Sequence, residues 1–226
     1  MEDAADLWVQ RLRDGVVPRP WPVVVAAALL ALGAAAALVA EFSGPAVFDH
    51  VTGSRGRFWL VVFPLFLVVL GISIVIGTWW SGRRDRRILA RVRETGRTPA
   101  FFLPVTTTSL RTTEELPRPR PEVWTVDAAG LHGWAPRRDA PVMDLPWSRI
   151  RRIDLATKDS RGTRVDYALW FDLTDGSSLV LPPRTTLGRP FEAGPTKLDV
   201  LMRVLRSLRR ELAHGTARQD AVDGTT

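Results

Sequence analysis

The sequence predicts an α+β chain: a two-helix transmembrane hairpin, then a basic helical stretch, then a β-rich domain closed by one amphipathic helix. Three observations predict it. Residues 23–40 and 58–80 carry no charged side chain, seven Arg crowd into residues 81–97, and from Thr98 the pattern becomes short apolar runs broken by Pro, Gly and Asp. The averages conceal this division. With 226 residues, 46% hydrophobic and 24% charged, and a mean hydropathy of +0.00, the chain has the composition of an ordinary soluble domain.

The first apolar run, VVVAAALLALGAAAALVA, follows Trp21, and the second, FWLVVFPLFLVVLGISIVIGTWW, has aromatic pairs at both ends, Phe58-Trp59 and Trp79-Trp80. At 1.5 Å per residue the two helices would be about 27 and 34 Å long, enough for a hydrocarbon core of roughly 30 Å. Paired aromatics suit the two membrane interfaces. Spans are therefore expected at 21–41 and 58–80, joined by an external loop at 42–57. Three Arg precede the first span (Arg11, Arg13, Arg19), two lie in the loop (Arg55, Arg57) and seven follow the second (Arg83, Arg84, Arg86, Arg87, Arg91, Arg93, Arg97). That asymmetry places residues 1–20 and everything after residue 80 in the cytoplasm of a cell-membrane protein. A cleaved signal peptide ending at Ala40 is the alternative for the first run, but the long, acidic start (Glu2, Asp3, Asp6, Asp14) argues against it. Small residues at Ala27, Ala31 and Ala35, at Gly33 and Ala37, and at Ser73 and Gly77 allow close helix packing, within the hairpin or in a homo-oligomer.

Residues 81–97, SGRRDRRILARVRETGR, should continue as a helix to Gly96. Arg83, Arg84, Arg86 and Arg87 set topology and meet anionic lipid headgroups non-specifically, each basic residue contributing about 1 kcal/mol near the surface. Nucleic acid is not an expected partner, because no aromatics alternate with these Arg.

In residues 98–213, strands are expected at 101–110, at 122–126 and 131–135 around the turn Asp127-Ala128-Ala129-Gly130, at 142–145, at 150–156, around Tyr167–Phe171, and at 178–181 after Asp175-Gly176. Pro104 would confine the first to a sheet edge. A final helix should start at Thr196 with Asp199 in a capping box. Its apolar stripe is Leu198, Leu201, Leu205, Leu208 and Leu212, with Arg203, Arg206, Arg209 and Arg210 off the stripe, three of the four near its end. Residues 214–226 lack periodicity and are expected to be a disordered tail.

The run Leu145-Pro146-Trp147-Ser148-Arg149-Ile150, the strand pair joined by Asp175-Gly176 and the closing helix resemble the pleckstrin-homology-like (PH-like) domain of bacterial membrane proteins, over roughly residues 99–213. The resemblance implies a seven-stranded, partly open barrel capped by the helix, and binding or assembly rather than catalysis. Phosphoinositide-binding members cluster Lys and Arg around the first hairpin, where this chain has Asp127-Ala128-Ala129-Gly130. Its loop cations are Arg137 and Arg138 in one place and Lys158, Arg161 and Arg164 in another, the candidate ligand or partner loops.

The chain has no Cys and three scattered His, which excludes disulfides, thiolate chemistry and Cys-bound metals, and no G-x-S-x-G, P-loop, G-x-G-x-x-G or H-E-x-x-H occurs. No catalytic residue, metal or cofactor is expected. The reading is an integral membrane protein presenting a cytoplasmic domain to an unknown protein partner or to the membrane surface. The alternatives are a membrane-embedded enzyme, disfavoured by spans without ionisable groups, and a structural oligomer built through the spans.

Overall fold

The structure is a computed structural model describing residues 2–43, 54–107, 112–160 and 162–223. Two units result, one of Met1–Val17 with Arg83–Thr226 and one of Pro18–Gly82. Among the described residues there are four α-helices: α1 (Glu2–Arg13), α2 (Trp21–Ser43), α3 (Ser54–Glu94) and α4 (Pro195–Asp223). Seven described strands form two antiparallel sheets, so the chain is α+β.

The unit Pro18–Gly82 holds α2 and most of α3. By length and composition, one described helix, Val62–Glu94, is apolar enough to cross a membrane, and Trp21–Ala37 is a shorter apolar helix. Only 11% of the apolar window of Val62–Glu94 is buried, unlike the core helix of a soluble domain. Inside this unit, Gly71 of α3 approaches Ala27 and Ala31 of α2. A Cβ there would lie 3.0 Å from the Ala27 carbonyl oxygen and 3.3 Å from the Ala31 Cβ, so the missing side chain is what lets the backbones approach. Of the small residues expected to pack, Gly33 instead faces open space, and the Ser73 hydroxyl donates to its own helix at Val69 O (2.7 Å).

The other unit begins with α1, which the sequence reading did not anticipate. Trp8, Val9 and Leu12 give it one apolar face, and Leu12 is buried in the same core as Ile88, Leu89 and Phe102. Gly15, at φ +59°, ends the helix, with Val16 N–H donating back to Arg11 O (3.0 Å). The last turns of α3 present Asp85, Ile88, Leu89 and Val92 to this core, a spacing of three and four that leaves Arg83, Arg84, Arg86 and Arg87 on exposed positions. The second apolar run and the basic stretch are thus one continuous helix ending at Glu94, with Gly96 at φ +70° just beyond it.

The first sheet has the order β1 (Phe101–Pro104), β2 (Val123–Val126), β3 (Gly130–Trp134), β4 (Met143–Pro146); the second runs β5 (Ile150–Ser160), β6 (Thr163–Leu173), β7 (Ser178–Leu181). Pro104 lies on edge strand β1. Beyond it, Val105 bridges Pro183, and Thr106 N–H donates to Pro182 O (2.9 Å), joining the sheets on that side. A 3₁₀ turn, Trp147–Arg149, connects β4 to β5 without pairing them. The indole of Trp147 donates to Asp127 O (2.9 Å), fixing that corner against the β2–β3 turn.

Helix α4 packs on β5 and β6, with Leu198, Leu201, Leu205 and Leu208 in the core. It starts at Pro195, not through a Thr196 cap: Lys197 and Leu198 N–H both donate to Gly194 O (3.0 Å each), and Pro fits the first helical position because it needs no N–H there. It also runs to Asp223, through residues predicted to be a tail, where Ala, Arg and Gln sustain helical propensity without an apolar stripe. Arg206 and Arg209 consequently lie mid-helix, away from the terminal dipole charge.

Candidate functional site

The basic stretch of α3 is organised around an acid. Asp85, fully buried, receives both terminal nitrogens of Arg184 (2.8 and 3.0 Å) and the Gly188 N–H (2.6 Å). Arg184 also donates from Nε to Val105 O (3.1 Å), and more weakly to Glu122 O (3.3 Å) and Arg189 O (3.4 Å). All five of its N–H groups therefore find acceptors, the condition for burying a guanidinium at tolerable cost. The site pins the loop after β7 to α3. Sequence reading missed it, because one Asp among seven Arg reads as partial neutralisation and Arg184 sits in a Pro-rich loop 99 residues further on.

The four Arg around Asp85 differ in their surroundings. Arg84 pairs with Glu122 (3.1 Å); burial raises the Glu122 carboxyl above its usual range, and the Arg84 charge opposes that rise. Arg86 and Arg87 are exposed and make no ion pair among the described residues. Further along α3, Arg91 pairs with Asp139, and beyond its end Arg97 lies 3.7 Å from Asp127.

The Arg91–Asp139 pair brings the loop holding Arg137 and Arg138 to α3. Both loop Arg are exposed, and Arg137 adopts φ +67°. Lys158 and Arg164 belong to a different place, the far end of the β5–β6 hairpin. There the Lys158 ammonium lies 5.3 Å from the Tyr167 ring centre, and Arg164 is 3.9 Å from Asp159. Arg161 lies outside the described residues. The two candidate loops thus do not form one described cluster.

His132 is buried between two carboxylates: Nδ1 contacts Asp144, and Nε2 is 3.0 Å from Asp127. His132 and Asp144 are direct cross-strand partners, so the β3–β4 register explains a contact that sequence spacing alone did not reveal. With both ring nitrogens engaged, neither is turned toward a substrate.

Near the unpaired β4 edge, Glu114, Glu115, Leu116, Pro117, Val142–Asp144 and Arg149 line an open depression of about 340 Å³. Arg149 is committed there. It forms a two-pronged pair with Glu114 (3.0 and 3.1 Å) and reaches Asp175 at 2.6 Å. Ser177, with Arg149, holds the Asp175 carboxyl well below its ordinary value, and the hydrogen bonds to Asp175 and Glu114 raise Arg149. The depression offers three carboxylates and one already paired cation, a poor match for an anionic ligand.

Comparison of the chain with protein-family models, curated proteins and solved structures finds no match.

Proposed function

We propose that this chain is a two-span protein of the cell membrane, with both termini cytoplasmic, that presents a PH-like domain for protein interaction or membrane-surface assembly and performs no catalysis. The observation that carries the topology is the fold of its two flanks together. Leu12 shares a core with Ile88, Leu89 and Phe102, and Arg93 reaches Gly15 O at 3.5 Å. Residues 1–17 and 83–226 must then lie on the same side of a membrane, so residues 18–82 cross it an even number of times. If Val62–Glu94 provides one crossing, α2 is the return. The same contact opposes cleavage after Ala40, which would remove α1 from the core.

The PH-like reading is supported by two antiparallel sheets of four and three strands, a corner built on Trp147, and a last helix packed on β5 and β6. An interaction role is favoured over chemistry because the titratable clusters around His132 and Arg149 satisfy one another. Catalysis would need a group left facing a substrate.

The Cys-free sequence makes the topology direct to test. A cysteine introduced at Ser54 should react with a membrane-impermeant maleimide in intact cells, whereas cysteines at Arg13 and Arg138 should react only after permeabilisation. Labelling of Arg138→Cys from outside would overturn the orientation. Labelling of Arg13→Cys from outside, with Arg138→Cys protected, would overturn the paired crossing.

A further inference from the structure

Thirteen residues, PPRTTLGRPFEAG, separate β7 from α4, and they are held tightly. Leu187 and Ala193 enter the core. Arg184 bridges Glu192, and both the Thr185 N–H and its hydroxyl donate to Phe191 O (2.8 and 2.9 Å). The tip is fastened to α3, because Gly188 at φ +76° donates its N–H to Asp85. On this rigid frame the Phe191 side chain is left 46% exposed, beside exposed Pro190 and Glu192. A single exposed apolar residue needs no explanation by itself. Its tether does.

Asp85 is five residues from Trp80. Fully extended, five residues reach about 17 Å, and as a helix about 8 Å. The loop tip is thus bonded to a residue that the chain itself keeps within that reach of the aromatic end of the second apolar run. Its charges suit that place. Arg189 lies in the loop with Glu192 as its only acid, Arg86 and Arg87 follow Asp85 on α3, and Lys197 lies in the first turn of α4, where its ammonium sits 5.4 Å from the Trp8 ring centre. Burial and the neighbouring Arg189 charge both lower the Lys197 pKa, so these two cations share one region.

We propose that the loop Gly188–Glu192 is a second membrane contact of this chain, with Phe191 entering the headgroup layer of the leaflet that Trp79 and Trp80 approach. Arg189, Arg86 and Arg87 face the phosphates of anionic phospholipids around it. An aromatic side chain with basic neighbours matches the amphipathic character of that layer, and a loop already ordered loses little freedom on entering it. The contact would hold the domain against the bilayer. The inference rests on the proposed span at residues 58–80, and its test separates the two.

The full chain, carrying one introduced cysteine labelled with an environment-sensitive fluorophore, is reconstituted into vesicles of phosphatidylethanolamine and phosphatidylglycerol containing a lipid-bound quencher. Labels go at Glu192→Cys in the loop, Arg138→Cys as an exposed reference and Ile72→Cys within the span. Quenching at 192 should exceed that at 138 by about twofold or more, as for a group at the headgroup boundary, and Phe191→Ser should bring it back to the level at 138. Strong quenching at 72 without excess at 192, or an excess at 192 that survives Phe191→Ser, overturns the loop contact and leaves the span intact. Absence of quenching at 72 overturns the span, and the loop contact with it.

Discussion

Asp85 and Arg184, 99 residues apart in sequence, form a two-pronged ion pair buried to 0% and 7% side-chain exposure. Removing water from two charges costs several kcal/mol per ion, and their attraction offsets this only when the remaining polar atoms are also satisfied. Here Gly188 N–H and the carbonyls of Val105, Glu122 and Arg189 meet that condition. Asp85→Ala should therefore cost about 3–5 kcal/mol, because it strands a buried guanidinium. The double variant Asp85→Ala/Arg184→Met should lose much less than the sum of the single losses. Thermal unfolding in detergent, followed by tryptophan fluorescence, measures both; additive losses would show that the two residues act independently.

Arg206 and Arg209 serve the open side of the second sheet. Among the described residues, strand β5 has no strand partner on its β4 side, and its carbonyls there are met by arginine. Arg206 donates to Ile153 O (2.7 and 3.0 Å), and Arg209 to Ile150 O and Arg151 O (the latter at 3.3 Å). An uncovered edge strand is a template for pairing with another chain. Replacing both Arg by Ala should lower stability by about 1–3 kcal/mol per residue, since each donor is charged. It should also raise the aggregated fraction in light scattering. A loss of stability without aggregation would mean that the leucine stripe alone covers the edge.

How much of this was legible in the sequence depended on whether one residue carried its own signal. The turns Asp127–Gly130 and Asp175-Gly176 announce themselves, and Ser178–Leu181 is found where the second of these turns places it. The outer halves of β5 and β6 were underestimated because residues 157–166, TKDSRGTRVD, include no apolar alternation; that end of the hairpin is largely exposed. Helix α1 was missed because its short apolar face, Trp8, Val9 and Leu12, lies among charges and becomes meaningful only when it meets Ile88 and Phe102. Asp85–Arg184, His132–Asp144 and the carbonyls met by Arg206 are long-range pairings. Local spacing holds no information about them until strand register is known.

Gly130 separates two effects that glycine substitutions usually mix. At φ +152°, it opposes Pro146, and an added Cβ would lie 2.2 Å from Leu145 O and 2.7 Å from Pro146 Cα, both backbone atoms that cannot turn aside. Gly176, at φ +82° in the β6–β7 turn, has open space around it. Gly176→Ala should cost only the backbone strain, about 1–2 kcal/mol. Gly130→Ala adds overpacking and should cost about 2–4 kcal/mol in total. Equal losses in parallel melts would show that β3 and β4 can separate freely at that point.

Asp175 and Glu122 should respond to acid in opposite senses. Ser177 and Arg149 depress the folded-state pKa of Asp175 from an ordinary 3.8, so its contribution to stability is complete above 3.8 and disappears as pH falls toward the depressed value. The deficit of Asp175→Asn should be constant near neutrality and close below pH 3.8. For Glu122, burial raises the folded-state pKa above 4.5. Its ionised form is therefore a cost to the fold, present above the raised value and relieved as pH falls through it to below 4.5. Glu122→Gln removes that cost, so its advantage over the native chain should shrink on acidification, beginning at a higher pH than the change for Asp175→Asn. Melting temperatures of the three proteins across an acid series read both trends. A deficit of Asp175→Asn that widened in acid would contradict the role given to the Arg149–Asp175–Ser177 contacts.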